Sequence, residues 1–221
     1  MQVAIAGGHG KIALRLARLL QERGDSARSL IRNPDHADDV RAAGGEPIVC
    51  DLESATESEV AEAVESADAV VFAAGAGPGS GPERKWTMDY GGAVKLISGA
   101  KANGIPRYVM VSAMGADPAV EGDDTFSVYV RAKGQADAEL QASGLDYTIV
   151  RPGRLTDDPG SGRVRIGESV GRGEISRDDV AAVLAAVLRE PATAGLAFEV
   201  ISGDVPADEA MASLRGRRTD T

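Results

Sequence analysis

One cysteine and two histidines are all that 221 residues offer to a soft or imidazole-seeking metal. Cys50 alone can build neither a disulfide framework nor a cysteine-rich zinc site, and His9 and His36 are too few for a histidine-rich one. No metal is expected. Long apolar runs are missing as well: none approaches the ~18 residues of a membrane helix. Met1 leads straight into a short apolar segment, without the basic and hydrophobic regions of a secretion signal. Positive charge is scarce, with 24 Lys and Arg against 34 Asp and Glu and a net charge of −10. Nucleic acid and anionic membranes reward clustered bases, so both are excluded as bulk partners, although a local pocket for one phosphate is not. These absences predict a cytoplasmic protein whose partner is a small molecule.

What is present is alternation. Apolar strands are predicted at 3–6, 27–31, 47–50, 69–74, 108–111, 147–150 and 198–201, with amphipathic stretches between them. Ile12, Leu16 and Leu20 recur at helical spacing until Gly24. Asn33-Pro34 reads as an N-cap and first helical residue, and Thr56 with Glu59 as a capping box. Longer helices are expected at 86–102 and 127–142. Continuously apolar strands separated by helices indicate an α/β, doubly wound parallel sheet with helices on both faces. Residues 153–214 form a smaller appendage. It begins with a loop, 156–174, rich in Gly, Asp and Arg, and continues with a helix whose stripe is Val180, Val183, Leu184, Val187 and Leu188. Residues 1–214 read as a single domain, followed by a solvated, flexible tail at 215–221.

The first strand-to-helix turn is Gly7-Gly8-His9-Gly10-Lys11-Ile12-Ala13. In a doubly wound sheet a dinucleotide pyrophosphate sits on this helix start, where free N–H groups and the helix dipole meet negative charge. Gly7 permits the sharp turn, Gly10 the approach of backbone to phosphate, and Ala13 takes the third small position. A P-loop needs a glycine and a Ser or Thr where this chain has Ile5 and Ile12, so that alternative fails. NAD-selective sites place an acid at the end of the second strand, whereas this chain has Arg32, a fork of donors suited to a 2′-phosphate. Lys11 or His9 can assist. NADP(H) is therefore expected, with NAD(H) as the alternative.

Tyr129 and Lys133 lie four residues apart, on one face of a helix, and Ser112 ends the preceding strand at the sheet edge where such folds bind ligands. A lysine ammonium beside a phenol favours the phenolate and lowers its pKa. Tyr129 can then move a proton to or from a substrate oxygen while Ser112 polarises the carbonyl and Lys133 holds the nicotinamide ribose. Trp86, Met88 and Tyr90 are candidates for a substrate mouth or for packing. Cys50 is expected as a buried small hydrophobe and His36 as a surface helix residue. Arg154 and Arg163 can recognise an anion unless the acids at Asp157 and Asp158 neutralise them.

These residues together resemble the atypical short-chain dehydrogenase/reductase proteins, in particular the small bacterial NAD(P)H-binding, NmrA-like or sugar-epimerase-like group. Gly7 to Ile12 is similar to its glycine motif, and Ile31-Arg32-Asn33-Pro34 to its NADP-type strand end. Asp51-Leu52 matches the pair flanking adenine, and Phe72-Ala73-Ala74-Gly75 the loop over the adenine ribose. Val109-Met110-Val111-Ser112, the Tyr129 and Lys133 pair, and Tyr147-Thr148-Ile149-Val150-Arg151-Pro152-Gly153 match its fifth strand, active pair and sixth strand. Ile175 to Val180 matches the helix start beyond. The resemblance implies a Rossmann fold of about seven strands in the order 3-2-1-4-5-6-7, and a homodimer. It departs at His9, where Thr or Ser is usual, at Ala13, and in the short region after Gly153, which lacks a nucleotide-sugar lobe.

The function expected is an NADPH-dependent oxidoreductase acting on a small carbonyl or quinone-like substrate. The alternatives are an epimerase or dehydratase with tightly held cofactor, and a non-catalytic NADP-binding redox sensor.

Overall fold

The computed structural model describes residues 1–77 and 79–214, so the tail expected at 215–221 lies outside the described residues. The chain begins β1 (Gln2–Ala6), α1 (Lys11–Glu22), β2 (Ser26–Ile31), α2 (Ala37–Ala42), β3 (Gly45–Val49), α3 (Glu57–Ala63) and β4 (Ala69–Phe72). It continues with α4 (Pro82–Arg84), a π-helical segment Lys85–Gly92, α5 (Ala93–Ala102), β5 (Arg107–Val111), α6 (Thr125–Ala142) and β6 (Asp146–Pro152). The last part holds β7 (Arg154–Thr156), β8 (Arg163–Gly167), β9 (Glu174–Ser176), α7 (Arg177–Arg189), β10 (Leu196–Ser202), β11 (Val205–Pro206) and α8 (Ala207–Ala212).

The central sheet runs β11-β8-β10-β6-β5-β4-β1-β2-β3. From β3 to β10 every pairing is parallel, which is the expected seven-strand order with β10 in seventh place. β8 and β11 extend that edge antiparallel, making nine strands rather than seven. The predicted loop at 156–174 is thus corrected: it contains β8. Only Val164 and Ile166 of that strand turn inward, while Arg163 and Arg165 face water. A half-covered edge strand needs no continuous apolar run, and its arginines made it resemble a loop.

Strand alternation feeds two cores. Val3, Ile5, Val71, Val109 and Val150 pack under α1 and α7. Ala4, Val70, Phe72, Tyr108, Met110 and Ile149 pack under α3, α5 and α6. Both faces are buried because each parallel crossover lays its helix back on the sheet. The local signals hold as well: Asn33 accepts from the Asp35 N–H, and Thr56 with Glu59 closes a reciprocal capping box. Among the described residues no helix is long and apolar enough to cross a membrane.

Two departures shape the site. The helix expected at 86–102 starts at Pro82 and widens into the π-helical turns before α5. Such widened turns gather at functional sites, because they re-aim side chains that a regular helix would bury elsewhere. Gly134 in α6 lets the segment after β5 cross tightly, since a Cβ there would lie 2.3 Å from the Asp117 carbonyl carbon.

Candidate active site

The glycine turn is built for close approach. Gly7 has φ +78°, and a Cβ on it would come within 2.7 Å of the Ala74 Cα. Gly8, absent from the expected site, is equally constrained, because its Cβ would meet the Ser29 Cβ at 2.6 Å. The Gly8 N–H donates to the Leu30 carbonyl and the Gly10 N–H to the Gly7 carbonyl, which fixes the turn across the ends of β1, β2 and β4. α1 then starts after Gly10, its N-cap residue, with no side-chain cap and no acid in its first turn. Elsewhere Thr56, Asp124 and Ser176 cap their helices. N–H groups without a protein acceptor at a glycine-lined helix start fit an anionic pyrophosphate.

A cleft of about 310 Å³ opens on this turn, lined by Gly7, His9 and Gly10 on one side and Ala73, Ala74 and Gly75 on the other. Arg32 joins them, as expected, at the end of β2. Lys11 and Ile12 contribute no side chain: Lys11 reaches Asp157 at 2.5 Å and Ile12 is buried in the core. Asn33 is occupied as a cap. Asp51 lies in a separate groove with half-buried Cys50, and Leu52 packs in the core beside Phe72. His36, expected as a surface helix residue, ends the short helical turn Pro34–His36, is partly exposed and also lines the cleft. Its ring stacks on His9 with centroids 3.7 Å apart, and His9 Nε2 lies 2.8 Å from Asp39.

Two residues at this end were not legible beforehand. Arg84, from α4, lines the same cleft, and its guanidinium donates to both carboxylate oxygens of Glu53. Arg32 lies 3.5 Å from that same carboxylate. Arg84 and Thr87, by hydrogen bonding, hold Glu53 below the usual glutamate range. This end of the cleft therefore presents two guanidinium groups against one acid.

The Ser, Tyr and Lys set is distributed in depth. Ser112 and Tyr129 line a larger cleft, about 980 Å³, with Pro152 and Gly153 at the end of β6. Lys133 sits behind them, 3% exposed. Its Nζ donates to the Val111 carbonyl at 3.2 Å, lies 3.3 Å from Asp89 and rests 5.3 Å from the centre of the Phe72 ring. Tyr129 is not depressed as the spacing predicted. Burial pushes the phenol up, Lys133 pulls it down by less, and Asp89 and Asp137 push it up further. Asp137 continues the helical spacing of Tyr129 and Lys133 by four more residues. It accepts from Ser112 Oγ at 2.9 Å and from the Arg151 guanidinium. Its other oxygen is buried without a hydrogen-bond partner among the described residues.

The remaining candidates separate cleanly. Met88 lines the cleft on the glycine turn, whereas Trp86 and Tyr90 pack toward α6, on Arg131 and Glu139. Arg154 pairs with Glu174 across the β7–β9 register rather than with Asp157. Arg163 donates to the Asp204 carbonyl. Asp157 ties Lys11 to Arg177.

A family model described as NAD(P)H-binding matches residues 7–191. The chain belongs to the NAD(P)H-binding family. It is 40% identical over 215 residues to the uncharacterized sugar epimerase YhfK of Bacillus subtilis (strain 168), covering 97% of this chain and all of that one. A solved candidate NAD-dependent epimerase/dehydratase from Bacillus halodurans superposes with a TM-score of 0.89 at 37% identity, over 96% of this chain and 99% of that one. ChuY, an anaerobillin reductase from Escherichia coli O157:H7, gives a TM-score of 0.77 at 26% identity, over 93% and 98%. The fold is Rossmann-like, and the relatives of this NAD(P)H-binding chain carry oxidoreductase-like and epimerase-like names. For such a cofactor the glycine turn, the uncapped start of α1 and the Arg32 end of the cleft form a consistent cradle.

Proposed function

We propose that the protein is an NADPH-dependent oxidoreductase of the short-chain dehydrogenase/reductase type, acting on a carbonyl or quinone-like small molecule. The observation that carries this reading is that Ser112 and Tyr129 line one cleft at the carboxyl edge of the sheet, with Lys133 buried one helical turn beyond Tyr129. Folds of this class bind ligands at that edge.

When bound, the nicotinamide supplies hydride exchange with the substrate carbon. The chain supplies the proton. Tyr129, kept protonated by burial, gives its phenolic hydrogen to the substrate oxygen. Lys133 then favours the phenolate that remains, and Asp89 and the Val111 carbonyl hold Lys133 in place. Ser112 orients the oxygen to be protonated. Two guanidinium groups, Arg32 and Arg84, against the single Glu53 support a preference for a 2′-phosphate over a bare ribose hydroxyl.

The test is a fluorescence titration with NADPH and NADH on the wild-type protein and Arg32→Ala. Tighter NADPH binding that Arg32→Ala abolishes supports the cofactor assignment. Binding of neither dinucleotide at micromolar levels overturns it. Tyr129→Phe then separates enzyme from sensor: an enzyme loses about 10²-fold or more in turnover with cofactor binding intact, whereas a sensor is unaffected.

The names of the relatives favour a second reading, an epimerase or dehydratase in which a tightly held cofactor would take and return hydride while Tyr129 takes and returns the proton. It would retain its cofactor through purification and consume no NADPH on balance, which following NADPH over time in the presence of substrate detects.

A further inference from the structure

We infer that the larger cleft is a site for an amphipathic organic anion, a molecule with an extended aromatic or polycyclic body and a carboxylate or similar group held by Arg172. This deepens the reading above, on which Ser112 and Tyr129 face the reacting end, but its binding claim stands on separate residues.

Size comes first. At about 980 Å³ the cleft is roughly three times the volume of the one on the glycine turn, and lies at the upper end of ordinary ligand sites. Its walls are mainly apolar, with Met114, Phe126, Pro152 and Leu155. Phe126 is 71% exposed, the highest value among the exposed large hydrophobic residues described. It stands in the first turn of α6, where Asp124 accepts its N–H, with its ring centre 6.5 Å from that of Tyr129. A ring held in water beside the proton donor forms a stacking platform, and stacked aromatic pairs gain beyond their buried area.

Charge selects the second feature. The lining carries Arg154, Arg172 and one acid, Glu174, in a chain whose net charge is −10. Glu174 is taken by Arg154. Arg172 makes no ion pair among the described residues, leaving its fork of donors for an anion. The backbone beneath the two arginines forms one rim: the Arg154 N–H donates to the carbonyl of Gly173, next in the chain to Arg172, and a Cβ on Gly153 would lie 2.4 Å from that same oxygen. A sugar would require several acceptors around its ring, yet the single carboxylate of the lining, Glu174, is taken by Arg154, and the lining contains no Asn, Gln, His or Asp. The chemistry therefore points away from a polyol and toward a flat, charged hydrophobe.

Two probes share an aromatic body and differ in charge: 1-anilinonaphthalene-8-sulfonate and the neutral N-phenyl-1-naphthylamine. Fluorescence titrations of the full chain are expected to show the anionic probe binding more tightly. Arg172→Gln should weaken it about tenfold and leave the neutral probe unchanged, because one charge-assisted contact is lost. Phe126→Ala should weaken both probes, and Glu174→Gln, which frees Arg154, should tighten the anionic one. Equal affinity for the two probes, an anionic affinity indifferent to Arg172→Gln, or affinities indifferent to Phe126→Ala would overturn the inference. NADPH titration is the separate readout: its failure removes the nicotinamide reading and leaves the probe pair to decide this one.

Discussion

Lys133 spends its charge on Asp89: the ammonium and carboxylate lie 3.3 Å apart, both nearly inaccessible to water. The lysine expected to serve Tyr129 is thus shared with an acid delivered by the π-helical segment. Burial is the main cause that holds the Tyr129 phenol above, rather than below, its ordinary range; Lys133 lowers it by less, and Asp89 adds to the rise. Asp89 also accepts from the Ala76 N–H, tying the loop over the glycine turn to the same ion pair. The two clefts are linked through one carboxylate.

Asp89→Asn removes one of the charges that raise the Tyr129 phenol, so tyrosinate should form at lower pH than in the wild type. Difference absorbance against Tyr129→Phe isolates that tyrosine. Leaving Lys133 without a buried counter-charge should also cost about 3 kcal/mol of stability, seen as a lower denaturant midpoint. A Tyr129 midpoint that stays put or rises would show that Asp89 does not control it.

Asp137 sets what Ser112 can donate. While the carboxylate is ionised it can only accept, so the single hydroxyl hydrogen of Ser112 is directed to it. Burial raises the Asp137 carboxyl above its ordinary 3.8, more than Ser112, Arg151 and Lys133 lower it. Tyr129 faces the same cluster. As pH falls through that raised value, Asp137 takes up a proton and Ser112 is free to donate to a substrate carbonyl. Carbonyl reduction should therefore rise on acidification, and Asp137→Asn should flatten that limb of the kcat profile. For stability the sign is the same: the contribution of a group raised on folding is present below its unfolded value and lost as pH rises through its folded one. An unchanged pH profile in Asp137→Asn would rule the coupling out.

Glu53 competes with any phosphate for Arg32 and Arg84. Glu53→Gln should release both guanidinium groups and tighten NADPH several-fold while changing NADH little, since charge-assisted hydrogen bonds are the strong ones. Arg84→Ala should weaken NADPH alone. Parallel changes for the two dinucleotides would mean that this end of the cleft does not read the 2′ position.

How far the site was legible follows from which signals are local. The glycine turn, the capping box at Thr56, the Asn33 cap and the parallel strands depend on neighbours in sequence, so they can be read directly. Tyr129 and Lys133 were legible by helical spacing, and Asp137 carries the same signal four residues further on. Asp89 had none: only the wider π-helical turns and the crossing of that segment with α6 bring it to Lys133. Glu53 and Arg84 meet from segments 31 residues apart, and Arg172 reaches the larger cleft from the bend between β8 and β9. Long-range pairing of charged residues leaves no periodic trace, which is why the polar half of the site emerges only from the three-dimensional arrangement.

The glycines give the most direct structural test, because two of them fail for different reasons. Gly8 has no positive φ, yet a Cβ there would lie 2.6 Å from the Ser29 Cβ and 2.7 Å from its carbonyl carbon. Backbone cannot yield as a flexible side chain does, so Gly8→Ala must push the turn off β2 and should cost about 2 kcal/mol or more. Gly24 has φ +74° with nothing within 4 Å of its Cβ position. Gly24→Ala faces only the left-handed conformation, roughly 1 kcal/mol. Chemical denaturation should rank Gly8→Ala well below Gly24→Ala, and only the former should lose NADPH binding, since only it moves the start of α1. Equal losses of stability with dinucleotide binding retained in both would mean that the turn has room to spare and that its glycines serve chain reversal alone.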